Sequence, residues 1–248
     1  MSKLPPLLEV KHLSKSFGAV QALKNLSMHV DAGEVVALAG DNGAGKTTLI
    51  KAISGVYRPT AGHILLSGEE VSFASPQEAR ERGIETIYQD LALADNLTIG
   101  ANIFLGREPM TRRFGFLPVL DRKKMAEAAR STMAMLDFHV NRLEAPVSNF
   151  SGGQRQAVAI GRAVYWNARI LIMDEPTAAL GVPEQRKVIS LIHQLKAQGR
   201  GVIFISHNLQ DIFAVSDRIV VLRRGVMAGE RRIAETTHDE VVKLMIGG

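Results

Sequence analysis

The apolar run Val35-Val36-Ala37-Leu38-Ala39 breaks into Gly40-Asp41-Asn42-Gly43-Ala44-Gly45-Lys46-Thr47, and nothing else in the 248 residues narrows the fold as far. The segment fits G-x-x-x-x-G-K-[ST] between a strand and a helix-forming stretch from Thr47 to Ser54, the context in which that pattern has chemical meaning. Glycines at 40, 43 and 45 let the backbone curl so that successive N–H groups converge on phosphate oxygens. The helix that follows adds the positive end of its dipole. Gly40, Asp41, Asn42, Gly43, Ala44, Gly45, Lys46, Thr47 and Thr48 are therefore read as a polyphosphate cradle. In it Lys46 holds the β- and γ-phosphates and Thr47 offers its hydroxyl to Mg²⁺.

Two later strands deliver polar groups to the same kind of place. Ile170-Leu171-Ile172-Met173 runs into Asp174-Glu175-Pro176, and Val202-Ile203-Phe204-Ile205 runs into Ser206-His207. Ligands of open α/β sheets gather at the C-terminal ends of the strands. Asp174 is accordingly assigned to Mg²⁺ through its water shell, and Glu175 to orienting the attacking water and accepting its proton. His207 taken alone reads as a turn residue. Delivered by its strand to the same edge, it is placed to hydrogen-bond a γ-phosphate.

The order of elements gives the architecture. Leu7 to Leu13, Ala19 to Val30 and His63 to Leu66 read as strands. A short helix starts at Ser75-Pro76 and ends at Gly83, followed by a strand at Ile84 to Tyr88. Longer helices are predicted from Asp121 to about Phe138 and from Ser151 to about Tyr165. A helix from Pro183 to Ala197 between the strands at Ile170 and Val202 makes a βαβ unit. Two all-apolar strands so joined imply a parallel sheet covered on both faces. The expected fold is α/β: a P-loop NTPase core with a mainly parallel sheet, an antiparallel β subdomain and an α-helical subdomain at about residues 90 to 165. Residues 1–248 are read as a single domain.

Composition removes several other classes. An apolar fraction of 46% with 22% charged residues excludes a disordered or fibrous chain. The apolar runs fall far short of the roughly 20 residues that span a bilayer. The start Met1-Ser2-Lys3-Leu4-Pro5-Pro6 does not read as a secretory signal. Without cysteine there is no disulfide framework and no thiol nucleophile, which is compatible with a reducing cytosol. A net charge of +5 invites nucleic acid, yet the basic residues come in short clusters and aromatics make up only 5%. Without a stacking platform, no nucleic-acid partner is expected.

Asn149-Phe150-Ser151-Gly152-Gly153-Gln154 stands before the helix that leads to the Ile170 strand, and with it the chain resembles the ABC (ATP-binding cassette) ATPases. Ser-Gly-Gly-Gln upstream of the carboxylate strand is that family's distinguishing signature. Ser151, Gly152, Gly153 and Gln154 form a second anion-binding helix cap. The resemblance implies that this cap serves the ATP held by a second cassette, in a head-to-tail dimer of identical chains. It covers about Leu8 to Gly229. It also implies that Phe17 lies against adenine, and that Gln89 contacts Mg²⁺ or water and joins the helical subdomain to a membrane partner. Taken singly, Phe17 is an ordinary core residue and Gln89 an ordinary surface one. At Gly181 the family usually has an aspartate that helps align the opposite site of the dimer.

Gly40-Asp41-Asn42-Gly43, Ile53 to Pro59, Asn102 to Glu108 and Ala178 to Gly181 resemble cassettes of the bacterial monosaccharide uptake class. The resemblance implies an ATP-hydrolysing subunit of an importer for a simple sugar. It would be peripheral on the cytoplasmic face of the inner membrane, coupled to transmembrane permease subunits and indirectly to a solute-binding protein. Two other functions stay open at this point. One is a soluble ABC-type assembly or regulatory ATPase without a channel; the other, resting on Gly181 alone, is a nucleotide switch that scarcely hydrolyses.

Overall fold

The computed structural model describes residues 4–113, 116–136, 138, 142–178 and 180–247; Ala179, within the Ala178 to Gly181 segment, lies outside them. Along the chain come β1 (Leu8–Phe17), β2 (Val20–Val30), β3 (Val35–Ala39), α1 (Lys46–Ile53), β4 (Ala61–Leu66), β5 (Glu69–Val71), α2 (Pro76–Glu81) and β6 (Ile84–Ile87). Then follow α3 (Ile99–Ile103), β7 (Met110–Arg113), β8 (Leu117–Leu120), α4 (Arg122–Met135) and α5 (Gly152–Tyr165). The chain continues through β9 (Ile170–Asp174), α6 (Val182–Ala197), β10 (Gly201–Ile205), α7 (Leu209–Val215), β11 (Arg218–Arg223), β12 (Val226–Arg232) and α8 (His238–Ile246). Two compact units result. The first comprises Met1–Gln89, Ala168–Thr177 and Ile192–Gly248, and the second Asp90–Asn167 and Ala178–Leu191.

The first unit holds two larger sheets, a six-stranded one in the order β12-β11-β3-β10-β9-β6 and a four-stranded one in the order β2-β1-β4-β5. In the six-stranded sheet every neighbouring pair is parallel except β11–β12. Each residue of β3 and β10 is buried, as expected for parallel strands covered on both faces. Leu8, Leu13, Leu38, Ile172, Ile203 and Val220 have no exposed surface and belong to one apolar cluster. Fully burying each such side chain contributes roughly 1.5–3 kcal/mol. Register decides where the strands end: Ile205 pairs with both Leu38 and Asp174, and Val221 pairs with Ala39. The residues after β3, β9, β10 and β11 therefore leave the sheet at one edge.

In the second unit, α3, α4 and α5 carry the buried surface. Gly161 on α5 admits Met133 of α4 so closely that a Cβ there would lie 2.5 Å from the Met133 Cε. Fully buried Asn102 bonds Ala94, Leu97 and Thr98 backbone atoms, so no polar atom of its amide is left without a partner. Phe104 packs edge-on to Tyr165 and Trp166. Asp121 caps α4 by accepting from the Lys124 amide at 3.0 Å, which fixes the start that the sequence predicts.

The departures from expectation are local. The helix predicted to reach about Phe138 stops at Met135, and the strand predicted to reach Tyr88 stops at Ile87. The middle segment is not wholly helical, because β7 and β8 pair as an antiparallel hairpin of mostly exposed residues. Among the described residues no helix is long and apolar enough to cross a membrane.

Candidate functional site

A cavity of about 1060 Å³ opens in the first unit, lined by residues 40–48 together with Gln89, Asp174, Glu175 and His207. Its floor is the turn out of β3. Gly40 adopts φ 140°, and a Cβ there would run into the Leu222 carbonyl oxygen. Gly45, at φ 110°, would place a Cβ 3.0 Å from the Ala22 carbonyl oxygen. Gly43, at φ 79°, meets nothing within 4 Å. Two of these glycines are thus demanded by close backbone approach as well as by conformation. Gly45 caps α1 without a side-chain hydrogen bond. The first-turn amides of α1 therefore have no side-chain acceptor, the condition under which a helix start receives an anion.

Lys46 curls back over the loop, its Nζ donating to the carbonyls of Gly40 at 2.5 Å and Asp41 at 3.1 Å. Burial pushes the Lys46 ammonium below the ordinary lysine range, against the opposing pull of Glu175, Asp174 and Asp41. Asp174 moves the other way. Burial first, and then the neighbouring Glu175, raise its carboxyl above the ordinary range, while Lys46 pulls it down. A site holding two carboxylates and one ammonium in partial burial favours bound positive charge beside the acids and bound negative charge beside the lysine.

Glu175 stands in the left-handed region at φ 52°, a conformation that costs a non-glycine residue about 1–3 kcal/mol. Its amide donates to the Ile205 carbonyl at 2.9 Å, which holds it there. Its Oε1 lies 2.8 Å from His207 Nδ1, and its side chain is 16% exposed against 82% for the imidazole. The carboxylate is thus shielded and the histidine is not.

The structure brings together all the sequence-predicted residues of the first unit but one. Phe17 does not line the cavity. Its ring is 43% exposed, meets Tyr57 edge-on at 5.1 Å between centroids, and carries the Lys15 ammonium 5.1 Å from its centre. Ser151, Gly152, Gly153 and Gln154 belong to the second unit, where they begin α5. There the Ser151 Oγ accepts from the Gln154 amide at 3.4 Å, and the Gln154 Oε1 accepts from the Ser151 amide at 2.9 Å. The turn closes on itself as a capping box. A Cβ on Gly153 would lie 2.8 Å from the Glu184 Cγ.

Val20, Gln21, Ala22, Lys24, Arg224 and Met245 also line the cavity, and sequence reasoning missed them. The Arg224-Gly225 turn is clamped to the cradle: the Gly225 amide donates to the Ala44 carbonyl at 2.9 Å, and the Lys24 amide to the Gly225 carbonyl at 2.8 Å. An Arg-Gly pair after the apolar run 219–222 is a turn signal, and parallel pairing of β11 with β3 brings it to Ala44. Met245 carries no comparable signal.

The sequence profile described as ABC transporter matches residues 23–178. The chain belongs to the ABC transporter family. This cassette is 49% identical over 239 residues to the xylose/arabinose import ATP-binding protein XylG of Sulfolobus acidocaldarius, covering 96% of this chain and 93% of that one. It is 45% identical to ribose import ATP-binding protein RbsA 1 of Rubrobacter xylanophilus, covering 98% of this chain. It spans only 47% of that relative's length. Among solved structures the cassette superposes on a nucleotide-free ATP-binding cassette from an ABC transporter with a TM-score of 0.82 at 25% identity, over 98% of this chain and 96% of the other. It also matches a dimeric cassette in a post-hydrolysis state bound to ADP and Pi, with a TM-score of 0.74 at 25% identity, over 91% and 98% of the two chains. The ABC cassette fold expected from the sequence is the fold observed.

Proposed function

We propose that this cassette binds and hydrolyses ATP to energise an importer of a simple sugar. The observation that carries the reading is that one cavity joins the cradle of residues 40–48 to Asp174, Glu175 and His207. A nucleoside triphosphate fits this division of charge, with its phosphates over the cradle amides and Lys46, and its terminal phosphorus toward the acids. The products are ADP and phosphate, water being the nucleophile.

Thr47, Gln89 and Asp174 offer a hydroxyl, an amide and a carboxylate to the same cavity. This all-oxygen set fits Mg²⁺, which takes one or two carboxylates, substrate phosphates and its own waters. When bound, the ion neutralises charge on the phosphate oxygens. The remaining work falls to side chains of the chain. Lys46 exchanges its carbonyl partners for phosphate oxygens, and Thr48 with the first-turn amides of α1 completes the grip. Glu175 accepts a proton from the attacking water, and His207 holds Glu175 and the γ-phosphate in line. Gln89 orients water beside the acids. Positioning and charge stabilisation of this kind carry most of phosphoryl-transfer catalysis.

Residues 1–248 act in this reading as one cassette. Ser151, Gly152, Gly153 and Gln154 seal the nucleotide of a second, identical cassette, whose own cap seals this one. A dimeric relative at 25% identity supports that arrangement. Transmembrane permease subunits, and through them a solute-binding protein, complete the importer, with the cassette on the cytoplasmic face of the membrane. The sugar is inferred from relatives whose names specify xylose/arabinose and ribose import. Phosphate release by purified protein, with and without Mg²⁺, tests the core of the proposal. Release that depends on ATP and Mg²⁺ and is lost in Lys46→Ala is expected; an active Lys46→Ala protein would overturn the assignment of the cradle.

A further inference from the structure

Glu175 is held at its amide by the Ile205 carbonyl and at Oε1 by His207. A non-glycine residue in the left-handed region persists only where its surroundings over-determine it. The residues that follow Glu175 supply a further restraint. Pro176 and Thr177 are both buried, Thr177 to 2% exposure. Proline fixes its own φ, so the next point at which this turn can yield is Thr177. There Oγ1 donates to Asp211 Oδ2 at 2.7 Å. Asp211 is itself only 7% exposed, in the first turn of α7, and it lines no part of the cavity.

An acid at the third residue of a helix commonly turns back to accept the N-cap amide. Here the Asn208 amide donates to Ser206 Oγ at 3.0 Å, and Asn208 Oδ1 accepts from the Gln210 amide at 2.9 Å. The N-cap is thus satisfied locally, and the Asp211 carboxyl is directed at a segment 34 residues earlier in the chain. Ser206, 3% exposed, donates in turn to Glu175 Oε2 at 3.5 Å. A ring of contacts results within the first unit. Residues 175–177 meet residues 206–211 at both ends, carboxylate to Ser206 and His207 at one and hydroxyl to Asp211 at the other. The segment that carries Glu175 cannot slide past the one that carries His207 without stranding the buried Thr177–Asp211 pair, which resists such a shift.

We propose that Asp211 is a positioning residue for Glu175: through the Thr177 hydroxyl it fixes the turn after β9, so that the carboxylate faces the attacking water and His207 together. It touches neither nucleotide nor water. This rests on the reading that Glu175 is the base of an ATP-hydrolysing site. It gives the buried acid of α7 a part in turnover and none in nucleotide affinity.

Phosphate release by the full chain against Mg-ATP concentration, at a temperature where melting curves show each protein folded, tests the assignment. Asp211→Ala should lower kcat by about ten- to a hundredfold, the range for a misplaced catalytic group, with KM for Mg-ATP unchanged. Asp211→Asn, which keeps an acceptor oxygen for Thr177, should recover most of that loss. In a Glu175→Gln background, followed by single-turnover hydrolysis of radiolabelled ATP, Asp211→Ala should remove nothing further, because the group it positions is already gone. The double variant Thr177→Val/Asp211→Leu replaces both partners of the bond with apolar groups of similar shape and strands neither. It carries the same comparison where Asp211→Ala does not fold, and its kcat should fall likewise. Wild-type kcat in these variants, an equal fold-loss with and without Glu175→Gln, or a rise in KM in place of the fall in kcat overturns the proposal. Wild-type protein that releases no phosphate from Mg-ATP, or a Glu175→Gln protein as fast as wild type, overturns instead the reading on which it rests.

Discussion

Glu175 Oε1 and His207 Nδ1 lie 2.8 Å apart, joining the carboxylate after β9 to the imidazole after β10. The pair is built on strain, since Glu175 stands at φ 52° with its amide donating to the Ile205 carbonyl. That expenditure places the carboxylate rather than adding stability, a pattern typical of working sites. Glu175→Gln preserves the shape and removes the base. Turnover should fall by about 10²–10⁴-fold while Mg-ATP binding persists, and gel filtration with ATP should show an accumulated dimer. Steady-state phosphate release at the wild-type rate would remove Glu175 from its role. His207→Ala should also lower turnover, with ATP affinity less affected.

Asp174 predicts a pH-dependent stability difference. Burial and the adjacent Glu175 raise its carboxyl above the ordinary range, so the folded protein holds this proton more tightly than the unfolded chain does. The ionised form therefore costs stability once the pH exceeds the raised value, and the cost vanishes below the ordinary carboxylate value. Asp174→Asn should melt at a higher temperature than wild type at neutral pH without nucleotide. The gap should close as the pH falls toward acid. A gap that widens toward acid would reverse the sign of the argument.

Gly40 and Gly43 separate fold from function. Alanine at Gly40 meets the Leu222 carbonyl and an unfavourable φ together, for a cost of about 3 kcal/mol or more. Alanine at Gly43 meets open space and costs only the left-handed conformation, about 1–2 kcal/mol. Urea unfolding without nucleotide should rank them in that order, and Gly43→Ala should remain folded while binding ATP more weakly.

Ser151 bears on both stability and the proposed dimer. Its hydroxyl satisfies the Gln154 amide, so Ser151→Ala should cost about 1 kcal/mol in unfolding. If the cap seals a second cassette's nucleotide, turnover should fall far more than that stability loss explains, with monomeric ATP affinity unchanged. A fall in turnover no larger than the unfolded fraction accounts for would leave the turn as a helix cap alone.

Elements bounded by abrupt chemical change were legible in the sequence. Val35–Ala39 ends where glycine begins, and the observed β3 has those bounds. The apolar strands at Ile170 and Val202 announced the parallel pairing that brings Asp174 level with Ile205. The β7–β8 hairpin was not legible, because Met110–Arg113 and Leu117–Leu120 are short and mostly exposed, without the alternation that marks a half-buried strand. Of the cavity, the cradle and acids could be read from motifs, since local spacing is what they require. Arg224 and Met245 could not, because sheet order and helix docking bring them there from the far end of the chain. Phe17 is a case of its own: the resemblance places it against adenine, and its ring, 43% exposed, stands edge-on to Tyr57 outside the residues that line the cavity.

The bond from the Gly225 amide to the Ala44 carbonyl ties the phosphate-gripping loop to the turn between β11 and β12. Loosening either partner therefore loosens both. Amide protons of residues 41–45 and 223–226 should exchange with solvent as one cooperative group, slowed together when ATP arrives, so that occupancy at the start of the chain is felt as rigidity near its end.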